Sequence, residues 1–297
     1  MGISIPALRQ LLELQNFRAL QGDILLLGRM SPMFTTRKFL RILRQHGFQS
    51  DIVISNKNYS DIFKHNPNDI EIFKAIGFKN VYSLDVSAYE GADFVLDLNK
   101  PLPEKFNKKF DFIYDGGTLE HVFDFPQALK NLHAMLNVGG FILHENPANN
   151  FVDHGFYQFS PSVYFDYYKQ NHYEIIISRL CRVYRAKNRR YLGFNYLPNK
   201  FEKQSYGGWG NHLLCNFFVV KKLQVSTSGL IPNQSRYQEI FWQKENTQAE
   251  ENLQDWRKKL QLRYPKTRYW YVRIRRAVTD YRKTILPINA PRHDIKL

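Results

Sequence analysis

Acids, histidines and glycines collect where apolar runs stop. Asp85 follows Asn80–Leu84, Asp97 follows Ala92–Leu96, and Asp115-Gly116-Gly117 follows Phe110–Tyr114. Glu120 and His121 come shortly after, and Phe141–His144 leads into Glu145-Asn146 and then Asp153-His154. Carboxylates in such places accept hydrogen bonds from a ligand's hydroxyls. Glycines let a backbone approach that ligand closely. Imidazoles and carboxylates take protons from an acceptor hydroxyl, and His121, His144, Glu145, Asp153 and His154 are the candidates for that task. Each also has a plainer reading. Asp85 and Asp97 cap turns equally well, His121 ties its loop to backbone carbonyls, and His154 braces the loop after it. Tyr157 and Phe159 read as packing residues. No Walker-type G-x-x-x-x-G-K-S/T run is present, and no H-E-x-x-H spacing either, so no nucleoside-triphosphate or metal site is expected.

These groups need a frame, and the stretch from Phe110 to Asn150 supplies one. Phe110–Tyr114 is a short aromatic and β-branched strand. From Pro126 to Leu136 the residues Ala128, Leu129, Leu132, Met135 and Leu136 recur at helical spacing. Asn137-Val138-Gly139-Gly140 is expected to stop that helix, and Phe141–His144 to form the next strand. A strand-helix-strand unit of this length implies parallel strands and a sheet covered on both faces, with ligands at the carboxyl ends.

Around that unit the same reasoning places a leading helix over residues 4–20 and a strand at Asp23–Leu27. Helices follow at about Thr36–His46 and Asp69–Ile76. Strands are expected at Asp51–Ser55, Asn80–Leu84 and Ala92–Leu96, with at least five parallel strands in all. Ser160 caps a helix begun by Pro161 and running to Gln170, and His172–Tyr184 with His212–Leu223 form late, antiparallel strands. Residues 185–211 are rich in Gly, Tyr and Asn and read as a lid or insertion. The expected division is an N-terminal helix (1–22), an α/β domain (23–223) and a basic helical extension (224–297).

Composition narrows the class. An apolar fraction of 43% fits a folded protein, and two cysteines, Cys181 and Cys215, exclude a disulfide scaffold. No apolar run approaches the roughly 20 residues that cross a bilayer, and the first residues lack a signal-peptide pattern. A cytoplasmic protein, at most peripheral at the inner membrane face, is expected. Of the net charge of +15, the stretch Arg257–Leu297 holds +11, from 13 Lys or Arg against Asp280 and Asp294. Any anionic membrane or nucleic-acid partner is therefore a matter for that tail, where Trp270, Ile274, Val278, Tyr281 and Ile285 share a helical face. Its bland reading is a solvated face on a packed helix.

From Asp23 to Leu223 the chain resembles the class I S-adenosylmethionine-dependent methyltransferases. FDFIYDGGTLEHVFDFPQALKNLHAMLNVGGFILHENP is similar to their fourth strand, E-H loop, helix and fifth strand, and YSLDVSAYEGADFVLDLNKPLP to their second and third. The resemblance implies a Rossmann-like, mostly parallel seven-stranded sheet and S-adenosyl-L-methionine as cofactor. It implies that Asp85 hydrogen-bonds the ribose hydroxyls and that Asp97 and Leu98 flank the adenine. Gly28, Arg29, Val86, Asp115, Gly116, Gly117, Glu120 and His121 complete the implied cofactor contacts. His154 and His121 are the implied catalytic candidates.

DHGFYQFSPSVYFDYY resembles a bacterial subset, some members of which are encoded near surface-polysaccharide genes. That favours a small or glycan-type acceptor, methylated on oxygen. The N/D-P-P-Y signature of base amino methylation is missing. The first loop departs from the family's glycine-rich form: LLLGRMSPMFT keeps Gly28 but continues with Arg29 and Met30. Either these narrow the pocket, implying an inactive binding or scaffold protein, or Arg29 pairs with the methionyl carboxylate. An RNA methyltransferase rests only on the basic tail.

Overall fold

The computed structural model describes residues 2–48, 66–184, 190–235 and 295–296. The expected strand at 51–55, most of the polar stretch 56–68 and the basic tail helix lie outside the described residues.

The chain begins with β1 (Gly2–Ile3) and α1 (Ile5–Leu12), where the Ser4 side chain accepts the Ala7 N–H at 3.2 Å and Pro6 sits in the first turn. The expected helix over 4–20 stops short. Leu14 is buried but Phe17 is 45% exposed, so no apolar face continues, and residues 13–17 tighten into a 3-10 turn. Next come β2 (Asp23–Leu27), β3 (Ser31–Pro32) and α2 (Thr36–Gln45), capped by Thr35. Helix α3 (Asp69–Ala75) opens with a capping box between Asn68 and Glu71. Strands β4 (Asn80–Asp85), β5 (Phe94–Val95) and β6 (Phe110–Asp115) follow, then α4 (Phe125–Met135) and β7 (Leu136–His144).

Asn137–Gly140 is not a turn. Helix α4 ends at Met135, and these residues already belong to β7. Gly139 donates to the Lys222 carbonyl and Lys222 donates to that of Gly140, which holds the segment in the sheet, while Gly139 takes the positive φ, +85°, that its type allows. Gly140 is needed for close approach, because a Cβ there would lie 2.9 Å from the Asp111 carbonyl oxygen. The glycines thus fit a register shift in the sheet between Phe110 and Phe112.

After β8 (Pro147–Asn149) comes α5 (Pro161–Gln170), whose preceding Ser160 hydroxyl bonds Ser162 rather than capping the helix. Strands β9 (Glu174–Tyr184), β10 (Arg190–Asn195), β11 (Leu213–Lys221) and β12 (Ile295–Lys296) complete the described elements. The main sheet runs β12-β10-β9-β11-β7-β6-β2-β4-β5 with β8 beside β11, ten strands among the described residues. The five from β7 to β5 are parallel, and β9 and β11 are an antiparallel pair, as the sequence implies. Part of the expected insertion at 185–211 is strand β10, paired with β9. Residues 197–212 belong to a second compact unit, in which the Phe201 ring meets Trp209 edge-on at 5.3 Å.

Alternate residues of the parallel strands face opposite cores. Leu25, Leu27 and Ile113 pack with Leu129, Leu132, Tyr164 and Tyr168, while Ile24, Leu26 and Phe112 pack with Leu8, Phe39, Ile42 and Ile72. Both faces are covered, which leaves the strand ends for polar groups. Among the described residues no helix is long and apolar enough to cross a membrane.

One glycine tests this frame. Gly77 joins α3 to β4 at φ +122°, and a Cβ there would stand 2.6 Å from the Leu20 carbonyl oxygen. Gly77→Ala is expected to lower stability by about 2 kcal/mol or more in urea denaturation, since both backbone strain and a backbone clash oppose it.

Candidate active site

Asp115 ends β6 and is fully buried. Its Oδ1 accepts the Thr118 and Leu119 N–H groups at 3.0 and 3.2 Å, and its Oδ2 meets His144 Nδ1 at 2.7 Å. The Tyr168 hydroxyl lies 2.7 Å from His144 Nε2, and the Tyr164 ring stacks on the imidazole at 4.4 Å. With Nδ1–H donating to Asp115, Nε2 accepts the Tyr168 proton, so every polar atom of the ring is engaged. His144 is therefore not available as the acceptor's base. Glu145 is engaged as well, accepting the Tyr114 hydroxyl at 2.8 Å and that of Tyr191 at 3.2 Å. Burial pushes its carboxyl up to about 7, against the pull of those two donors.

The loop held by Asp115 carries Gly116, Gly117, Glu120 and His121. Gly117 takes φ +109°, and the Thr118 hydroxyl donates to the Leu27 carbonyl at 2.6 Å, drawing the loop over the end of β2. Glu120 is buried; its Oε2 accepts from Asn146 Nδ2 at 2.9 Å, and Asn146 Oδ1 accepts the Tyr164 hydroxyl at 2.7 Å. Its Oε1 has no hydrogen-bond partner among the described residues and lies 3.6 Å from His154 Nε2. Burial, and then the nearby Asp115, push the Glu120 carboxyl up to about 7. The His121 and His154 rings sit 5.3 Å apart on the solvent side. Partial burial and the charge of His154 hold His121 below its ordinary value of 6.5. The loop of His154 reaches this place through Gly155, where a Cβ would stand 2.8 Å from the Glu120 carbonyl oxygen.

The remaining expected residues lie along the neighbouring strand tips. Gly28 leaves β2 at φ +80° and donates to the Leu84 carbonyl. The Arg29 guanidinium is bonded to Asp69 at 2.6 Å, and Asp69 also accepts the Met30 N–H. Met30 is buried, with its terminal methyl against Gly116. Asp85 caps its own turn by accepting the Ser87 N–H at 3.1 Å; Val86 beside it is 70% exposed. Asp97 accepts from the side chain and backbone of Asn99, and those donors hold its carboxyl below the ordinary range. Leu98 is buried.

The structure thus gathers Glu120, His121 and His154 at one point, and sets Asp85, Asp97 and Gly28 along the adjoining edge. Sequence reasoning missed Asp69. Its signal was a carboxylate at a helix start where a capping box already supplies the acid. Tyr164 and Tyr168 carried no signal beyond their apolar spacing.

Comparison with known proteins places a family match on these elements. Residues 36–192, more than half of the chain, match the family profile described as a methyltransferase domain. No curated protein matches the chain. Among solved structures, the Burkholderia thailandensis 1,6-didemethyltoxoflavin-N1-methyltransferase with bound S-adenosylhomocysteine is 13% identical. It aligns over 74% of this chain and 80% of its own, at a TM-score of 0.36. The YcgJ protein of Bacillus subtilis is 13% identical over 72% of this chain and 98% of its own, TM-score 0.38. An S-adenosylmethionine-dependent methyltransferase of Archaeoglobus fulgidus is 11% identical over 72% and 94%, TM-score 0.34. Likenesses this distant say nothing about the acceptor.

The raised Glu145 gives a pH test. A carboxyl whose folded value lies near 7, above its ordinary 4.5, stabilises the fold fully below 4.5, and that stability is lost as pH rises through 7. Glu145→Gln removes this ionisation. It is expected to gain on the order of 2 kcal/mol over the parent at pH 8 and little at pH 5, in urea titrations at the two values. An unchanged pH slope in the variant would count against the assignment.

Proposed function

The chain belongs to the methyltransferase-domain family, the S-adenosylmethionine-dependent enzymes, and from that premise we propose that it methylates an oxygen of a small-molecule acceptor, glycan-type acceptors included. The observation that carries this reading is the edge formed by Asp85, Gly116-Gly117 and the Glu120, His121, His154 group at the ends of adjacent parallel strands. The residues suit the cofactor. Asp85 is half-buried, spends one oxygen on Ser87 and offers the other to a vicinal diol, and Gly117 presents bare backbone. S-adenosylmethionine, when bound, supplies a methyl carbon already activated by its sulfonium.

The protein has then to align and to exclude water. In this reading Asp85 accepts the ribose hydroxyls, and Val86, Asp97 and Leu98 border the adenine. Gly28, Gly116 and Gly117 line the methionine portion, and Arg29, steadied by Asp69, turns its further N–H groups to the carboxylate. Asp115 and Glu120 hold the loop beneath. The acceptor hydroxyl would give its proton to His154 or His121 as its oxygen takes the methyl group, the electron pair of the carbon–sulfur bond leaving with the sulfur of the cofactor. Phe123 and Phe156 are 69% and 66% exposed and meet edge-to-face at 5.6 Å, two residues past His121 and His154. An acceptor with hydroxyls and an apolar face suits that rim.

Calorimetric titration with S-adenosylhomocysteine tests the reading. One equivalent is expected to bind, and Asp85→Ala to weaken it by about tenfold or more, the loss of hydrogen bonds to a charged group. Folded protein that takes up none would favour a non-catalytic binding domain whose pocket Met30 has narrowed.

A further inference from the structure

We propose that Glu120, His121 and His154 form a site for a divalent transition-metal ion. One ligand atom from each lies within 4.8 Å of the other two. The local spacing rules that describe metal motifs do not apply, because His154 arrives from a different strand end. Two ligands on one tetrahedral ion, each about 2.0–2.2 Å away, stand about 3.4 Å apart. The Glu120 Oε1 to His154 Nε2 separation of 3.6 Å is close to that. His121 completes the set within the same 4.8 Å, and its side chain is exposed.

Glu120 points the same way independently. A buried carboxylate oxygen costs free energy unless something pairs with it. Here Oε2 is satisfied by Asn146 while Oε1 has no hydrogen-bond partner among the described residues and faces the histidine pair. The Tyr164–Asn146–Glu120 chain fixes the carboxylate's orientation, as outer hydrogen bonds do for metal ligands. The close packing at Gly155 and the left-handed Asp153, φ +61°, bring His154 over that oxygen.

Two imidazoles and one carboxylate select a zinc-, cobalt- or iron-like ion over magnesium, which prefers oxygen and water. Three protein ligands leave positions open, and both histidines lie on the solvent side, so those positions face an incoming acceptor. With the ion bound the two imidazoles serve as its ligands, so an acceptor hydroxyl bound there would lose its proton to solvent water in place of His154 or His121. This last role rests on the methyltransferase reading; the site itself does not.

Cobalt(II) is the probe, added to metal-stripped full-length protein and followed by its visible absorption. One equivalent per chain is expected to bind, giving bands of a four- or five-coordinate ion. His154→Ala changes an exposed side chain and should weaken binding at least tenfold while leaving the circular dichroism spectrum intact. Glu120→Gln should do the same. Absence of the bands, or equal cobalt binding by parent and His154→Ala, overturns the proposal. A parallel titration with S-adenosylhomocysteine separates the two claims. Cobalt bound without that nucleoside keeps the metal site and removes the methyltransferase reading, whereas the nucleoside bound without cobalt removes the metal site alone.

Discussion

The Asp115 carboxylate is the constraint on which the polar edge depends. A carboxylate withdrawn from water is costly unless hydrogen bonds surround it, and this one accepts from two backbone N–H groups and an imidazole. Each bond ties down a different part of the molecule. The backbone bonds fold the chain after β6 back on itself, which sets the position of Gly116 to His121. The imidazole bond ties β6 to β7, and through Tyr168 both strands are tied to α5. Removing the carboxylate would release the loop and leave a buried histidine without its acceptor.

The two glutamates near this node have different surroundings and so different uses. Glu145 has a tyrosine hydroxyl on each oxygen, which makes it part of the packing between β6, β7 and β10. Glu120 has a donor on one side only, and the other side opens toward two histidines. Burial and Asp115 raise both, yet of the two only Glu120 keeps an oxygen without a hydrogen-bond partner among the described residues. The same economy governs the first loop. Asp69 takes up Arg29 and the Met30 N–H together, so the residues that stand in place of a glycine-rich loop are held by a buried acid from α3.

Much of the frame was legible because it depends on local patterns. DILLL reads as a strand buried on both faces, and the Thr36 and Pro161 helices carry their apolar stripes in sequence, the first with its Thr35 cap and the second with its leading proline. Legibility failed where tertiary contact overrides a local habit. The helix does stop just before Gly139 and Gly140, and Gly139 takes the positive φ expected, yet pairing with Lys222 draws both into a strand that local pattern starts only at Phe141. The stretch Ala92–Leu96 reads as a full strand, but only Phe94 and Val95 pair, at the sheet's edge. The site divides in the same way. Acids at strand ends could be read directly, since periodicity ends where they begin. The Arg29–Asp69 pair spans 40 residues and the His144–Tyr168 bond 24, and no local spacing encodes either.

The central claim is that the tips of β4, β5 and β6 jointly hold one adenosyl ligand. Hydrogen–deuterium exchange with and without S-adenosylhomocysteine tests it most directly, because it reads the three tips separately in one experiment. The account expects slower exchange at 84–87, 96–98 and 115–121 together, with β9 and β11 unchanged. Protection confined to other elements, or saturating ligand with no protection at these three segments, would contradict it.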